Sequence, residues 1–144
     1  MNKWLLMTYK IPRQPTAGRV YVWRKMKQLG AVAVQDAVWV LPATARTQEQ
    51  FQWLATEITE LGGEATFWLA DMLYEGCDPS LRQQFEIPVA KAYREILAAL
   101  KRKDCDPAAL SRRYQETHAQ DYFQIELGQR VRDKLLAARG GKTE

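Results

Sequence analysis

Four arginines carry the strongest chemical signal in this 144-residue chain: Arg19 and Arg24 in "RVYVWRKMKQLG", and Arg112 and Arg113 in "LSRRYQETHAQDYF". A guanidinium offers a planar fork of donors that matches a carboxylate, phosphate or other oxyanion two atoms at a time. These four positions are therefore candidates for anion or nucleic-acid binding. Catalysis has less to work with. His118 is the single imidazole and there is no G-x-S-x-G nucleophile turn, so no enzyme is expected. Cys77 and Cys105 lie far apart, form no CxxC pair, and combine with His118 in no usual zinc spacing. Lys101, Arg102 and Lys103 would favour the Cys105 thiolate, but Asp104 and Asp106 oppose them. Both thiols read as inert, and neither a metal nor a cofactor is expected.

The net charge of +4 conceals a segregation. Residues 1–46 hold eight Lys/Arg and one acid, residues 47–78 hold seven acids and no Lys or Arg, and the remainder holds thirteen bases and nine acids. The balances are +7, −7 and +4. A basic first third creates a field for anionic partners that the net figure hides. At 47% hydrophobic and 26% charged, the chain belongs with ordinary globular proteins. No apolar run approaches the roughly 20 residues of a membrane span. "MNKWLLMTYKIP" lacks a long apolar region and a small-residue cleavage site, so it reads as a strand rather than a signal peptide. A reducing cytoplasm is the expected compartment.

The elements that must position the arginines follow from periodicity. "KWLLMTYKI" alternates as a strand does. After two prolines, Thr16 is an N-cap candidate for a helix to Leu29, with Gly30 as its C-terminal stop. "AVAVQDAVWVLP" reads as a hairpin turning at Gln35-Asp36, although Asp-Gly would be a stronger turn than Asp-Ala. "TQEQ" at 47–50 fits a capping box for a second helix, with Phe51, Leu54, Ile58 and Leu61 on one stripe and Gly62 after it. "EATFWLADM" supplies a last strand.

The order βαββαβ predicts an α+β, ferredoxin-like sandwich over residues 1–76, with a four-stranded antiparallel sheet and both helices on one face. The open face would bind something or pair with a second subunit, and Trp4, Trp39 and Trp68 are its expected occupants. An α-helical C-terminal extension, residues 77–144, is expected to pack on that domain. Its elements are a short helix from Asp78-Pro79 to Phe85, a break at Ile87-Pro88, a helix from Pro88 to about Lys103, another from Pro107 to about Gln120, and a last one to Ala138 carrying Phe123, Leu127, Val131 and Leu135. Gly128 weakens the last helix, and "RGGKTE" reads as a frayed tail.

On a wheel of about 100° per residue, Arg19, Val22, Trp23, Met26 and Leu29 share one face and Tyr21, Arg24, Lys27 and Gln28 the other. Arg24, Lys25 and Lys27 read as a solvated side that would meet the acidic second helix. Arg19 projects from the packed face at the helix N-terminus and needs a partner there, either a carboxylate of the same chain or a bound oxyanion. Arg112 and Arg113 are balanced between a binding role and an exposed helix face near Glu116, and His118 reads as a surface residue.

"KWLLMTYKIP", "AGRVYVWRKMKQLGAVAVQDAVWVLP" and "LSRRYQETHAQDYF" together resemble the N-terminal domain of the ChrB chromate-resistance family. The matching polar positions are Arg19, Trp23, Arg24, Arg112, Arg113 and Asp121. The resemblance implies a cytoplasmic protein of chromate resistance, a transcriptional regulator acting at promoter DNA of a chromate-efflux operon and responsive to chromate. Full-length members continue into a second domain, whereas this chain ends at 144, so a separate sensor protein is a candidate partner. The alternative is an oxyanion-binding or protein-interaction module working with that sensor. The element order is also similar to the middle domain of phenylacetate-pathway repressors and to small CRISPR nuclease subunits. A nuclease is not expected, because Lys10 of "TYKIP" stands where those subunits carry a metal-binding acid.

Overall fold

β1 (Lys3–Lys10) lies at the centre of the molecule's one described sheet, because its alternation leaves an apolar side chain on both faces for most of its length. A computed structural model describes residues 3–74 and 77–140. Among these residues the order continues with α1 (Thr16–Leu29), β2 (Val32–Gln35), β3 (Val38–Pro42), α2 (Ala45–Glu60), β4 (Glu64–Asp71), α3 (Cys77–Leu100), α4 (Pro107–Ala119) and α5 (Glu126–Gly140). The chain divides into two compact units, Met1–Leu81 and Arg82–Glu144. The "RGGKTE" tail falls largely outside the described residues.

In the first unit the four strands pair antiparallel in the order β2-β3-β1-β4. Register settles the faces, since directly paired residues share one. Leu5 pairs with Leu41 and Leu69, and Met7 with Trp39 and Phe67. This face carries the helices: Phe51 of α2 meets Phe67 edge-on at 6.1 Å, and Lys27 of α1 lies 5.9 Å from the Trp39 ring centroid. Trp4, Leu6 and Thr8 take the other face with Val40 and Trp68.

The expected trio on the open face is thereby corrected. Trp39 points to the helix side, as the partner of Met7. "VWVLP" is apolar at every position, so its alternation carries no face information. Trp4 is on the expected face but buried, its indole N–H donating to Asp78 at 2.6 Å. Trp68 alone of the three is exposed, at 54%.

Local signals set most boundaries. Gly30 closes α1 in the left-handed region, its N–H bonded to the Lys27 carbonyl at 3.0 Å; Pro15, and not Thr16, is the N-cap residue. The capping box of α2 is displaced from "TQEQ": Thr44 caps, and Thr47 is its reciprocal partner. The buried Thr47 hydroxyl donates to the Pro42 carbonyl at 2.6 Å, tying the helix start to the end of β3. At the β2–β3 turn Ala37 adopts φ 58°, the conformation an Asp-Gly turn would have given a glycine. Leu61, expected in the α2 stripe, is exposed.

In the second unit, Val89, Tyr93 and Ile96 of α3 pack with Tyr114 of α4 and with Val131 and Leu135 of α5. The break expected at Ile87-Pro88 does not occur; α3 runs through Pro88. Pro88 and Gln84 are both exposed, so the Gln84 carbonyl that loses its amide partner faces water. The buried row Leu81, Phe85, Val89, Tyr93, Ile96 continues across the proline with helical spacing. Burying that row outweighs one lost backbone hydrogen bond. Gly128 is required rather than weakening, because a Cβ there would meet the Tyr93 ring at 2.9 Å.

Candidate functional site

α1 is packed through an unusually narrow stripe. Gly18, Val22 and Met26 are its buried residues, spaced by four along one line. The adjacent line, Arg19, Trp23 and Lys27, has the same spacing and stays exposed. Residues four apart on a helix stand one above the other, so these three form a continuous ridge. With the end of β1, the β2–β3 hairpin and Trp39, the ridge borders an open groove of about 1100 Å³.

The groove is basic and aromatic. Lys10, Arg19 and Lys27 line it beside Tyr9, Trp23 and Trp39, with Asp36 of the hairpin as its acid. Trp23 is 52% exposed. The Lys27 ammonium lies 5.6 Å from the centroid of Trp23 and 5.9 Å from that of Trp39, within cation–π range of both indoles. The chemistry available is anion binding by an ammonium and a guanidinium, with aromatic faces between them for planar groups.

The four predicted arginines have different surroundings. Arg19 lines the groove with Asp36, and among the described residues no ion pair joins it to a carboxylate. Arg24 is exposed on α1 outside the groove lining. Arg112 and Arg113 belong to α4 in the second unit. Arg112 is exposed, while Arg113 donates from Nη2 to Glu95 Oε2 at 2.9 Å, joining α4 to α3. Both side chains of that pair are more than two-fifths exposed, so its contribution to stability is small.

Between α1 and α2 the contact takes a different form from the expected charge pairing: Tyr21 O–H donates to the Glu57 carboxylate. That hydrogen bond, ahead of desolvation and the charges of Glu57 and Glu60, holds the Tyr21 hydroxyl above its ordinary pKa.

Asp121, another position singled out in the sequence, is structural. It is buried between α4 and α5, accepts from Tyr93 O–H at 2.9 Å, and accepts from the Ile125 amide at 3.2 Å. Burial first, then this hydrogen bond and the Asp121 charge, hold the Tyr93 hydroxyl far above its ordinary pKa. His118 is exposed and stacks on Tyr114 at 5.5 Å. Cys77 and Cys105 are free and half-buried. Among the described residues, no three of His, Cys, Asp and Glu are grouped to hold a metal ion, and no helix is long and apolar enough to cross a membrane.

Lys10 and Lys27 are site residues that sequence reasoning missed, and Trp39, expected on the open face, lies on the helix side beside the ridge. The i, i+4, i+8 spacing of Arg19, Trp23 and Lys27 was the available signal for the ridge. Nothing local could place Trp39 beside it.

Comparison with known proteins gives a family match: the model of "Protein ChrB, N-terminal" covers residues 19–118. A curated relative, Protein ChrB of Cupriavidus metallidurans strain CH34, is 33% identical over 61 residues. That stretch is 42% of this chain and 19% of the relative, so the match spans about a fifth of the relative's length. No solved structure matches the chain.

Proposed function

The chain belongs to the ChrB N-terminal family, and from that membership we propose that it serves chromate resistance as a non-catalytic, cytoplasmic regulator whose basic groove receives promoter DNA of a chromate-efflux operon. The observation that carries this reading is the exposed ridge Arg19–Trp23–Lys27 facing a groove that also holds Lys10. Three cations on one groove match a phosphate backbone. Each phosphate neutralised contributes a slope of about −0.9 in log K against log salt for duplex DNA, so roughly −2 to −3 belongs to this site. The scaffold fits a ferredoxin-like sandwich, a reading supported by the βαββαβ order, the all-antiparallel sheet and helices on one face.

The test is fluorescence anisotropy with DNA from upstream of the protein's own gene against scrambled DNA, at two salt concentrations, with and without chromate. Sequence-selective binding is expected; its release by chromate would mean that this chain senses chromate without a separate sensor. Arg19→Gln should lower the salt slope by about one, and Arg113→Gln, whose charge is already paired, should leave it nearly unchanged. Identical salt slopes for the parent, Arg19→Gln and Lys27→Gln would refute the groove as the DNA site.

A second reading, an oxyanion-binding or protein-interaction module acting with a separate sensor domain, is favoured by one feature. Val20, Trp23 and Val34 are exposed around the groove, and Asp36 offsets part of its positive charge. Binding of chromate or sulfate at one site, insensitive to added salt, would support it over DNA.

A further inference from the structure

The sheet has two edges, and they differ. β2 is four residues long, with a register shift between Ala33 and Gln35, and irregular short edges resist further pairing. β4 is eight residues long and pairs with β1 without interruption from Lys3↔Asp71 to Lys10↔Glu64. Among the described residues, no strand lies beside the backbone groups of its outer side. The segment Thr66–Ala70 contains no charge, proline or glycine. Trp68 is 54% exposed and Leu69 is 66% exposed, although they point to opposite faces of the sheet. Past the strand, beyond Asp71 and Met72, Leu73 and Tyr74 are exposed as well.

We propose that β4 is a self-association edge, pairing antiparallel with β4 of a second copy of this chain to form a continuous eight-stranded sheet. The strand's own sequence fixes the register. A two-fold axis perpendicular to the sheet keeps each face on its own side, so residues that oppose one another across it share a face. The axis must then pass through a residue. Centred on Trp68, it sets Trp68 against Trp68 of the second copy, Phe67 against Leu69, and Thr66 against Ala70. Both exposed apolar residues gain apolar partners. Asp71 falls opposite Ala65 and Glu64 opposite Met72, so no like charges face each other, and Asp71 is already paired with Lys3 at 2.6 Å. Centring on Leu69 would set Asp71 against Phe67, and centring on Phe67 would set Trp68 against Thr66; both are poorer.

Covering the exposed parts of Trp68 and Leu69 removes on the order of 200–300 Å² from each copy. A standard specific interface buries about 800 Å² per partner. With the strand backbone added, this edge supports a modest, concentration-dependent dimer. Pairing at β4 involves none of the groove's lining residues.

Sedimentation velocity from micromolar to submillimolar protein tests it. The parent should shift from monomer to dimer across that range. Trp68→Glu and Trp68→Lys each place two like charges in direct opposition and should weaken self-association by roughly tenfold or more. An equal mixture of the two variants should restore dimer, because the opposed charges then attract. Val34→Lys, on the β2 edge, should leave self-association unchanged. Hydrogen exchange of the parent gives a readout without substitution: outward β4 amides should exchange more slowly as concentration rises. A parent that stays monomeric throughout, or variants that dimerise as it does, would overturn the proposal. So would outward β4 amides protected equally at all concentrations, which would mean that the chain itself covers the edge.

Discussion

Replacing Gly128 by alanine sets two effects of opposite sign against each other. Gly128 lies in the third residue of α5, where alanine is favoured over glycine by up to about 1 kcal/mol on helix propensity alone. Contact with α3 argues the other way. A Cβ would stand 2.9 Å from Cε2, Cζ and Oη of Tyr93, against the 3.5–4.0 Å of an ordinary carbon contact. The ring is fully buried, packs against Tyr114 at 6.0 Å, and is held by its hydrogen bond to Asp121. Overpacking of this kind costs roughly 1–3 kcal/mol, and pulling the hydroxyl off Asp121 adds about 1 kcal/mol. The net expectation is a loss of about 1–3 kcal/mol from the second unit. Urea unfolding followed by circular dichroism reads it as a midpoint lower by on the order of 1 M, with faster amide exchange in α5. Tyr93→Leu in the Gly128→Ala background should cost less than Tyr93→Leu alone, because the clash is gone. A midpoint equal to or above the parent's would refute the argument and leave propensity in control.

Three further outcomes follow from the same structure. Ala37→Gly relieves a left-handed alanine at the β2–β3 turn and should stabilise the first unit by about 0.5–1 kcal/mol, read as a higher melting temperature. Pro88→Ala restores an amide donor on the exposed side of α3 and should stabilise the helix by up to about 3 kcal/mol, read by urea unfolding. Because the folded state holds the Tyr93 hydroxyl above its ordinary value near 10, the unfolded chain loses that proton first as pH rises. Stability is therefore unaffected by this group below about pH 10 and falls above it by up to about 1.4 kcal/mol per pH unit. Tyr93→Phe should flatten that alkaline slope while lowering stability at neutral pH, since Asp121 loses a buried donor; both are read from unfolding curves across pH.

The elements legible in the sequence were those specified by local chemistry. α1 was readable to its last residue because Leu29-Gly30 is a stop signal that the backbone uses as written. α4 was readable because Asp106-Pro107 supplies a cap and a first turn together, with the Asp106 carboxylate accepting from the Ala108 amide. The misreadings share a cause in tertiary contact. The box at "TQEQ" was misplaced because Thr47 is held by Pro42 at the end of β3, which draws the helix start back to Thr44. The break at Pro88 failed because a buried row on the far side of α3 pays no attention to a defect on the wet side. Gly128 looked like a weakness because its partner, Tyr93, lies 35 residues away in sequence.

The candidate site was half legible for a reason that the α1 wheel makes plain. The wheel grouped Arg19 and Trp23 with Val22 and Met26, and the grouping is angularly correct. What a wheel cannot supply is the width of the buried stripe, which depends on the surface the helix meets. Here that surface takes only one line of α1: Gly18, Val22 and Met26 are buried, and even a Cβ at Gly18 would make no more than ordinary contacts with Ile11 at 3.4 Å and Leu61 at 3.9 Å. The helix is thus seated along Gly18, Val22 and Met26, and its neighbouring line is left at the rim. Arg19 is released from needing a buried carboxylate, Trp23 is exposed, and Lys27 turns from a solvated lysine into the third member of a ridge. An arginine and a tryptophan at core-like angles on a basic helix therefore mark the edge of a narrow stripe, and that edge is where this chain offers its charge and its aromatic surface together.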